Sequence, residues 1–419
     1  MANEKNAPVT IIGFGTAGFS AAVGLRTAGY RGPISVFSSI ETRPYSPILT
    51  SYYAGGMKSY EECFPWSQDE IDELNLDIHY AETVTKIDVA EHLIHTAQGS
   101  YSYSKCVVCS GSVPTPVGFP RDCGYTPLML RTMDDAQRLK DAIENPGCEK
   151  ILISGTSMVS LKALEACLAQ DVQVTLVGIM PHILDVNALP AAAERFERGL
   201  VERGVTLMLE NPIAKVEVFE DATLPFGRTL EVTFANDDVE RFDEIFVAHG
   251  MRNNLEFLDD EPVEINRGII VDEFMRSSDT DIFAAGDVAQ GTELISGEKR
   301  IVGIWKNAAN QGLCAGKTIA AELAGNEPDA SIALKGAIAT NTIEVDGLLF
   351  ISAGTIELND NRSVDVEEND TMTIIRIWED AGDDERLVGF NITADVDDPG
   401  GDAYDLGAMM TMHILEGCK

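Results

Sequence analysis

Residues 9–29 read VTIIGFGTAGFSAAVGLRTAG, in which an apolar run, a glycine-rich turn and a run of small and apolar residues follow one another. The pattern predicts a buried strand, a tight turn and a closely packed helix, and the apolar run Ile34–Phe37 supplies the next parallel strand. Gly13, Gly15 and Gly18 form a GxGxxG pattern between the strand and the helix. In this setting the first glycine permits the turn, the second lets a pyrophosphate approach the backbone, and the third brings the helix against the strand. The stretch therefore predicts a dinucleotide-binding unit whose helix N-terminus offers free N–H groups to phosphates.

A second unit of the same order begins at Lys150, and residues 151–168 read ILISGTSMVSLKALEACL. Gly155 keeps the first glycine, but Ser157 and Ser160 occupy the second and third positions. A serine at 157 adds a Cβ and a hydroxyl where a pyrophosphate approaches bare backbone, although a hydroxyl can also donate to phosphate. We expect the fold to be kept here, and the residues leave open whether nucleotide affinity is weak, altered or lost.

Strand and helix patterns continue to alternate as far as about residue 330. Apolar runs at 105–110 and 244–248 end at glycine breaks, and a run at 281–285 leads into Gly286-Asp287 and a helix pattern near 307–323. Beyond residue 330 the chain is β-rich and closes with an amphipathic helix pattern from Tyr404, which predicts a separate domain. The predicted fold class is α/β, with two Rossmann-like dinucleotide-binding domains of the three-layer ββα type and a C-terminal α+β interface domain.

Composition restricts the partners of this chain. It has 419 residues with 31 basic and 68 acidic side chains, for a net charge of −37. Such a surface repels phosphate backbones and anionic lipids, so we expect no nucleic-acid partner. The start of the chain lacks a signal-peptide pattern, and no apolar run is long enough to span a bilayer, which predicts a cytoplasmic protein without a membrane span.

Eight cysteines are scattered along the chain without a disulfide framework, as is typical of a reducing compartment. Cys106 and Cys109 form a CxxC pattern, but they lie in an apolar strand pattern where residues three apart point to opposite faces. We expect a buried structural pair rather than a redox dithiol or half of a zinc site. The six histidines have no metal-cluster spacing, so no metal site is predicted.

The order of these motifs resembles that of the flavoproteins with two dinucleotide-binding domains, the pyridine nucleotide-disulfide oxidoreductases. It is nearest to their ferredoxin and rubredoxin reductase and NADH oxidase branches, and the resemblance covers nearly the whole chain. The motifs that carry it are the first GxGxxG turn, Arg43-Pro44-Tyr45, Cys109-Ser110-Gly111, His249-Gly250, Ala285-Gly286-Asp287 and Ile304–Ala309. The resemblance implies two FAD-binding segments, residues 1–125 and 249–330, around an NAD(P)-binding-like domain at 126–248. It also implies a dimerisation or interface domain at 331–419.

The same resemblance implies bound FAD and a set of cofactor-binding residues, while the residues leave NAD(P)H open as a second cofactor. The implied set is Gly13, Gly15, Thr16, Ala17, Gly18, Ser38, Ser39, Arg43, Pro44, Val84, Ser110, Gly111, Gly286, Asp287, Trp305 and Asn307, with Gly155 and Ser157 in the second unit. The implied chemistry is hydride transfer from NAD(P)H to the flavin, followed by electron transfer to an acceptor. Hydride transfer to flavin requires no acid or base, and none is assigned.

The chain departs from the family pattern at its thiols and at one lysine. No cysteine pair is present in the first helix, and the loop near residue 46 has none, so a dithiol or sulfenic acid mechanism is not expected. Cys63 is the nearest cysteine downstream, and we expect it to be structural. Ser51, Tyr52 and Tyr53 stand where ferredoxin reductase relatives place a lysine close to the flavin.

The acid that binds a ribose hydroxyl at the end of the second strand is missing from both units. Ser38-Ser39-Ile40 follows the strand in the first unit, with Glu41 nearby, and Gly178-Ile179-Met180 follows it in the second. No Arg or Lys lies between Gly178 and Asp185, so neither NAD nor NADP selectivity is evident. His182 is the one candidate for a 2′-phosphate, and a surface histidine without this role is the favoured interpretation.

Three functional hypotheses follow. The leading one is an FAD-dependent NAD(P)H oxidoreductase that passes electrons to a redox protein, a quinone-like molecule or dioxygen. The alternative is a flavoprotein electron-transfer subunit of a larger complex, whose second nucleotide site is degenerate and whose donor is a partner or an organic substrate. A non-enzymatic redox sensor or assembly protein ranks last. We expect a homodimer or a complex with a sister subunit, and methionines at 409, 410 and 412 predict a core or interface face on the closing helix.

Overall fold

The structure is a computed structural model that describes residues 7–120, 122–259, 261–382, 384–395 and 401–418. Within these residues the chain forms two compact units. The first comprises Met1–Ser46, Phe64–Val113 and Arg252–Ile338, as far as they are described, and the second comprises Pro47–Cys63, Pro114–Met251 and Ala339–Lys419.

The helices and strands alternate along most of the chain. The helices of the described residues are α1 Thr16–Thr27, α2 Thr50–Ala54, α3 Gln68–Asp72, α4 Met133–Ile143, α5 Met158–Leu168, α6 Pro190–Glu202, α7 Trp305–Leu323 and α8 Gly401–Gly417. The strands are β1 Val9–Ile12, β2 Ile34–Phe37, β3 Asp77–His79, β4 Val84–Asp88, β5 Leu93–Thr96, β6 Ser100–Ser102, β7 Lys105–Val108, β8 Ser112–Pro114, β9 Lys150–Ser154, β10 Gln173–Val177, β11 Thr206–Met208, β12 Ile213–Glu220, β13 Arg228–Phe234, β14 Val239–Phe242, β15 Glu244–Val247, β16 Met251–Asn253, β17 Ile269–Ile270, β18 Ile282–Ala284, β19 Ala289–Thr292, β20 Lys299–Arg300, β21 Thr340–Val345, β22 Leu348–Gly354, β23 Arg362–Glu368, β24 Met372–Asp380 and β25 Glu385–Asp395.

A five-stranded parallel sheet, in the order β18-β7-β1-β2-β3, is the centre of the first unit. Its central strands are buried on both faces, which explains their unbroken apolar sequences. Helices α1 and α7 pack closely because small residues line the contact. A Cβ on Gly312 would lie 2.1 Å from the carbonyl oxygen of Ala17, and one on Gly316 would lie 2.1 Å from that of Ala21.

The second unit has a four-stranded parallel sheet, in the order β11-β10-β9-β15, and a three-stranded antiparallel sheet of β12, β13 and β14. Its C-terminal part is a five-stranded antiparallel sheet, in the order β21-β22-β25-β24-β23. Helix α6 packs on this sheet, where Asn391 accepts a hydrogen bond from the backbone of Leu189 at 2.8 Å and Thr393 donates one to Ala192 at 3.0 Å.

These two parallel sheets with flanking helices and the antiparallel C-terminal sheet confirm the predicted fold class. The predicted domain boundaries stay predictions. On helix α8, Met410 is 6% exposed, whereas Met409 and Met412 are 67% and 58% exposed, so only one of the three methionines lies in the core of the second unit. None of the described helices is long and apolar enough to cross a membrane.

Candidate functional site

Gly13 and Gly18 give the first turn its shape. Gly13 has a φ of +96°, and its N–H donates to the carbonyl of Phe37 at 2.8 Å. A Cβ at this position would lie 2.2 Å from the carbonyl oxygen of Cys109, and one on Gly18 would lie 2.0 Å from the carbonyl oxygen of Gly13. Any side chain at either position would displace backbone, so both glycines are required by the fold of the turn itself.

Gly15 has a different role, because a Cβ there would meet nothing within 4 Å. It is the N-cap of α1, and no side chain caps this helix, so the first N–H groups remain available to an anion. The adjacent Thr16 Oγ1 is buried and has no hydrogen-bond partner among the described residues. Ala17 is also buried and lies close to Gly286. An open, uncapped turn with an orphaned hydroxyl fits a diphosphate-containing cofactor such as FAD.

Asp287 lies in the loop that follows β18, at the carboxyl edge of the first sheet. Its Oδ2 accepts a hydrogen bond from the hydroxyl of Ser112 at 2.8 Å, and Asp287 is half-buried. Gly286 has a φ of +84°, and its N–H donates to the side-chain oxygen of the buried Gln311 at 2.9 Å. These bonds hold the carboxylate and the turn before it in a fixed arrangement, as a polar contact to a cofactor requires.

Ser110 and Gly111 form the break after β7. The hydroxyl of Ser110 donates to the carbonyl of Asn254 at 2.6 Å, and Gly111 has a φ of +67°. The backbone of Asn254 in turn donates to the carbonyl of Gly111 at 3.2 Å. The Ser110 hydroxyl is therefore used to hold the break against Asn254. Only the backbone of Ser110 and Gly111 is left to contact a cofactor.

Three aromatic rings lie in a row beside the start of α7. Trp305 is 39% exposed and stacks on Trp66 with ring centroids 6.1 Å apart, and Trp66 stacks on Phe19 at 4.2 Å. Helix α7 begins without a side-chain cap or an acidic residue in its first turn, while the amide of Asn307 donates to the carbonyl of Val302 at 2.9 Å. The result is an apolar wall next to a helix N-terminus, which suits a flat ring that becomes anionic on reduction.

Arg43 is held in place by its own unit. Its guanidinium donates to the carbonyl of Trp66 at 3.1 Å and lies 4.7 Å above the ring of Phe64. Pro44 beside it is buried. The loop thus presents a fixed positive charge, consistent with the phosphate role that the resemblance implies.

The residues after β2 are distributed between core and surface. Ser38 is buried, and its hydroxyl donates to the carbonyl of Ile40 at 3.2 Å, whereas Ser39 and Glu41 are exposed. Val84 is 7% exposed and packs into the core of the first unit. Only the backbone of Ser38 and Val84 is therefore left for a ligand.

A buried carboxylate, Glu82, lies next to Ser38 and was not predicted from the sequence. Its N–H donates to the Ser38 carbonyl at 2.8 Å, and its side chain accepts hydrogen bonds from Thr96 at 2.6 Å and His79 at 3.0 Å. Burial raises the pKa of Glu82, but hydrogen bonds from Thr96, Tyr101 and His79 together outweigh this effect. The pKa of Glu82 therefore lies below its usual range. All of these partners belong to the chain itself, so the role of Glu82 is to fix the turn after β3.

The second turn repeats the first glycine but not the open helix start. Gly155 has a φ of +110°, and its N–H donates to the carbonyl of Val177 at 2.9 Å. A Cβ at this position would lie 2.3 Å from the carbonyl oxygen of Ala248. Ser157 caps α5, because its hydroxyl accepts from the N–H of Ser160 at 3.4 Å. Ser160 is fully buried, so a serine fits at the position of the third glycine and α5 still packs on the sheet.

The segment after β10 exposes apolar side chains. Ile179 is 73% exposed and Met180 is 40% exposed. His182 Nδ1 lies 3.3 Å from a Glu197 oxygen, and its Nε2 lies 4.0 Å from a Glu194 oxygen. A histidine between two carboxylates is poorly suited to a 2′-phosphate.

Neither the CxxC pair nor Cys63 is placed as a reactive thiol. All three are free and buried, and burial raises the pKa of each thiol, so the nucleophilic thiolate is disfavoured at neutral pH.

The tyrosines in the place of the family lysine are packed within the second unit. The hydroxyl of Tyr53 donates to Gln137, and the Tyr52 ring lies 3.9 Å from the ammonium of Lys162. These contacts favour a packing role for both tyrosines.

His249 follows β15 and is bonded at both ring nitrogens. Nδ1 donates to the carbonyl of Val117 at 2.6 Å, and Nε2 accepts from the hydroxyl of Ser154 at 2.8 Å. Burial lowers the pKa of His249, and the Val117 carbonyl offsets part of this effect. The ring is thereby held neutral at physiological pH.

Trp66, Ser112 and Gln311 were missed by the sequence reasoning. Trp66 lies outside the motifs that predict the site, and Ser112 directly follows the Cys109-Ser110-Gly111 motif. Gln311 carries the clearest available signal, since it is a polar residue among the mostly small and apolar buried residues of α7.

Comparison with known proteins gives a family and several relatives. Residues 7–312 match the family described as Pyridine nucleotide-disulphide oxidoreductase. The chain is 26% identical to an NADH oxidase of Methanocaldococcus jannaschii, over 74% of this chain and 69% of the relative. It is 25% identical to a rubredoxin-NAD(+) reductase of Pseudomonas putida, over 69% and 74% of the two chains. A third relative, 24% identical over 82% and 78%, is the epsilon subunit of the NADH-dependent phenylglyoxylate dehydrogenase of Aromatoleum evansii.

Solved structures agree over almost the whole chain. A NAD-dependent persulfide reductase from A. fulgidus has a TM-score of 0.82 at 21% identity, covering 98% of this chain and 77% of the other. The putidaredoxin reductase–putidaredoxin complex has a TM-score of 0.81 at 20% identity, covering 97% and 94%. At these identities the likeness shows the fold alone.

Proposed function

The chain belongs to the family of pyridine nucleotide-disulphide oxidoreductases, and from this premise we propose that it is an FAD-dependent NAD(P)H oxidoreductase. Electrons pass from NAD(P)H through the flavin to a redox protein, a quinone-like molecule or dioxygen, without a catalytic disulfide. Membership of an enzyme family argues against the sensor or assembly hypothesis. The proposal extends to a cytoplasmic protein that acts as a homodimer or within a complex.

The observation that carries the proposal is the first turn. Its uncapped helix start, the open approach at Gly15 and the orphaned Thr16 hydroxyl are all suited to the diphosphate of FAD. Arg43 adds positive charge to the same unit, and Asp287, fixed by Ser112, would accept hydrogen bonds from the ribityl hydroxyls of bound FAD. Bound flavin would supply the redox chemistry by accepting a hydride and releasing electrons.

The proposal that no catalytic dithiol takes part is supported by the burial and the raised pKa values of the cysteines. Cys106 and Cys109 are buried with raised pKa values, and the first turn of α1 has no cysteine. Two further features of the site would position a bound flavin and stabilise its charge. Trp305 and Trp66 cover an apolar side, while the start of α7 favours the anionic reduced ring.

The alternative function is a flavoprotein electron-transfer subunit. The self-capped helix at Ser157 favours it, because the second turn has lost the open start that the first turn keeps. One relative is itself named as the subunit of a larger dehydrogenase, which agrees with this alternative.

Anaerobic reduction of the purified flavoprotein tests the proposal. NADH and NADPH are added separately while the visible absorbance of oxidised flavin is followed, with dithionite as the control reductant. The proposal expects rapid bleaching by at least one nicotinamide. Bleaching by dithionite alone would overturn it and leave the subunit alternative, whose donor is a partner or an organic substrate.

A further inference from the structure

The turn after β3 is built from three backbone hydrogen bonds to the segment after β2. Ser38 donates to His79 at 3.0 Å, Glu82 donates to Ser38 at 2.8 Å, and Ala81 donates to Ile40 at 3.1 Å. Ala81 has a φ of +53°. The segments that follow the carboxyl ends of β2 and β3 are therefore held together by these three hydrogen bonds.

The second unit contains the same turn after β11. Gly178 donates to Met208 at 3.1 Å, Asn211 donates to Gly178 at 3.0 Å, and Glu210 donates to Met180 at 3.3 Å. Glu210 has a φ of +55°, so it takes the place that Ala81 has in the first unit. An acidic side chain thus stands where the first unit has a methyl group.

This position places Glu210 beside the segment that lacks the ribose-binding acid. In dinucleotide-binding units that acid usually ends the second strand, where it accepts hydrogen bonds from ribose hydroxyls. Here the carboxylate comes from the adjacent strand, about 4.8 Å away in the hydrogen-bonding direction. Glu210 is exposed, and its carboxylate has no partner in the part of the chain that the structure describes.

A cavity of about 490 Å³ lies along β11 and the loop between β13 and β14, and it reaches Glu210 and Asn211 after the carboxyl end of β11. Leu207 and Leu209 contribute apolar surface, while Glu210, Asn211, Asn236 and Asp238 contribute polar groups. Asn236 donates to Asn211 at 3.0 Å and to Asp238 at 2.7 Å, which fixes two of these side chains. The volume lies in the range of small-molecule sites, and carboxyl strand ends are where open α/β sheets bind ligands.

The charges around this edge are unfavourable to a phosphate. Glu210 and Asp238 line the cavity, and the carboxylates of Glu194 and Glu197 lie within 4.0 Å of His182 in the segment after β10. The two arginines of α6 pair with an acid of the C-terminal sheet, since Arg195 and Arg198 lie 3.8 Å and 3.2 Å from Glu368. A 2′-phosphate beside Glu210 and Asp238 would therefore meet charge of its own sign, which disfavours its binding.

We propose that the second unit takes NADH and discriminates against NADPH, with Glu210 accepting hydrogen bonds from the adenosine ribose. The inference rests on the proposed nicotinamide-dependent function and names the specificity-determining residue of that site. A carboxylate supplied from the third strand replaces the one missing from the second.

Direct binding to the flavin-loaded full chain tests the inference. Calorimetric titrations with ADP-ribose and with 2′-phospho-ADP-ribose report on the adenosine half alone, and flavin bleaching by NADH and NADPH is measured in parallel. The variants are Glu210→Gln, Glu210→Arg and, as a matched exposed acid of the same unit, Glu220→Gln.

The inference expects ADP-ribose to bind at least tenfold more tightly than its 2′-phosphorylated form. Glu210→Gln should weaken ADP-ribose binding about tenfold, or about 1.4 kcal/mol, and Glu210→Arg should reduce the discrimination. Glu220→Gln should behave as the unchanged protein. Unaltered binding in Glu210→Gln, or equal binding of the two ligands, overturns the inference. The proposed function would still stand after such a result if NADH or NADPH bleaches the flavin. If neither nicotinamide bleaches it, the proposed function itself is wrong.

Discussion

The hydroxyl of Ser157 accepts a hydrogen bond from the N–H of Ser160 at 3.4 Å, so α5 is capped by its own chain. The corresponding helix of the first unit begins at Gly15 without a side-chain cap. An N-cap hydroxyl satisfies a backbone donor that a phosphate would otherwise reach. The two turns share their first glycine geometry, yet they offer an incoming diphosphate different numbers of free N–H groups.

Exchanging Ser157 separates stability from nucleotide binding. Ser157→Ala should lower the free energy of unfolding by about 1 kcal/mol, whereas Ser157→Gly should cost only about 0.3 kcal/mol. Ser157→Gly should also bind ADP-ribose severalfold more tightly, because the helix start becomes open. Urea unfolding and calorimetry measure the two effects, with Ser363→Ala as a control at an exposed strand position. Tighter binding in Ser157→Ala than in Ser157→Gly would contradict this account.

Gly13 and Gly15 should respond differently to alanine. Gly13→Ala places a Cβ 2.2 Å from a carbonyl oxygen at a φ of +96°, so we expect loss of at least about 2 kcal/mol of stability together with loss of flavin. A Cβ on Gly15 meets no protein atom within 4 Å, so Gly15→Ala should fold normally. It should nevertheless bind flavin weakly, because the new methyl group lies where the diphosphate approaches.

The measurements for this pair are the flavin-to-protein absorbance ratio and the thermal unfolding midpoint of the flavin-free proteins. The account fails if Gly15→Ala retains full flavin, or if the flavin-free form of Gly13→Ala is as stable as that of the unchanged chain.

Asp287 should be required for flavin retention rather than for folding. Asp287→Ala removes the carboxylate that Ser112 orients, and we expect flavin-poor protein with normal secondary structure. Ser112→Ala should lower flavin affinity less, by roughly 1 kcal/mol, since only the orienting bond is lost. Asp360→Ala, at an exposed position of the other unit, is the control. Full flavin occupancy in Asp287→Ala would refute the placement of the ribityl contact.

Features encoded by neighbouring residues could be predicted from the sequence. The strand, turn and helix around Gly13 follow from local periodicity and one glycine pattern, and the structure has them at the expected residues. Strand β23 is harder to recognise, because six of its seven residues are exposed and only Val364 and Val366 alternate with polar residues.

Contacts between distant residues could not be predicted in this way. Glu210 lies beside Met180 only because β10 and β11 pair in parallel, and Gln311 reaches Gly286 only because α7 packs near β18. The direction of the Ser157 hydroxyl is likewise set by the helix it begins, whereas the sequence leaves open whether it faces a phosphate or the backbone.

His249 should make stability depend on pH below neutrality. Because burial lowers its pKa in the folded state, the unfolded chain takes up this proton first as the pH falls below about 6.5. Stability is then lost with decreasing pH, by up to about 1.4 kcal/mol per pH unit for one proton, until the folded-state pKa is reached. Above about pH 7 both states are neutral at this ring, and its contribution to the pH dependence disappears.

The test compares urea unfolding of the unchanged chain with that of His249→Gln between pH 5.5 and 7.5. Glutamine has no proton to gain in this range, so the variant should lose less stability on acidification, even though it starts from a lower value at pH 7.5. Ser363→Ala, a non-titrating change at an exposed strand position, should retain the slope of the unchanged chain. Parallel slopes for all three proteins would mean that His249 is protonated as easily in the folded chain as in the unfolded one, and that Ser154 and Val117 do not hold it neutral.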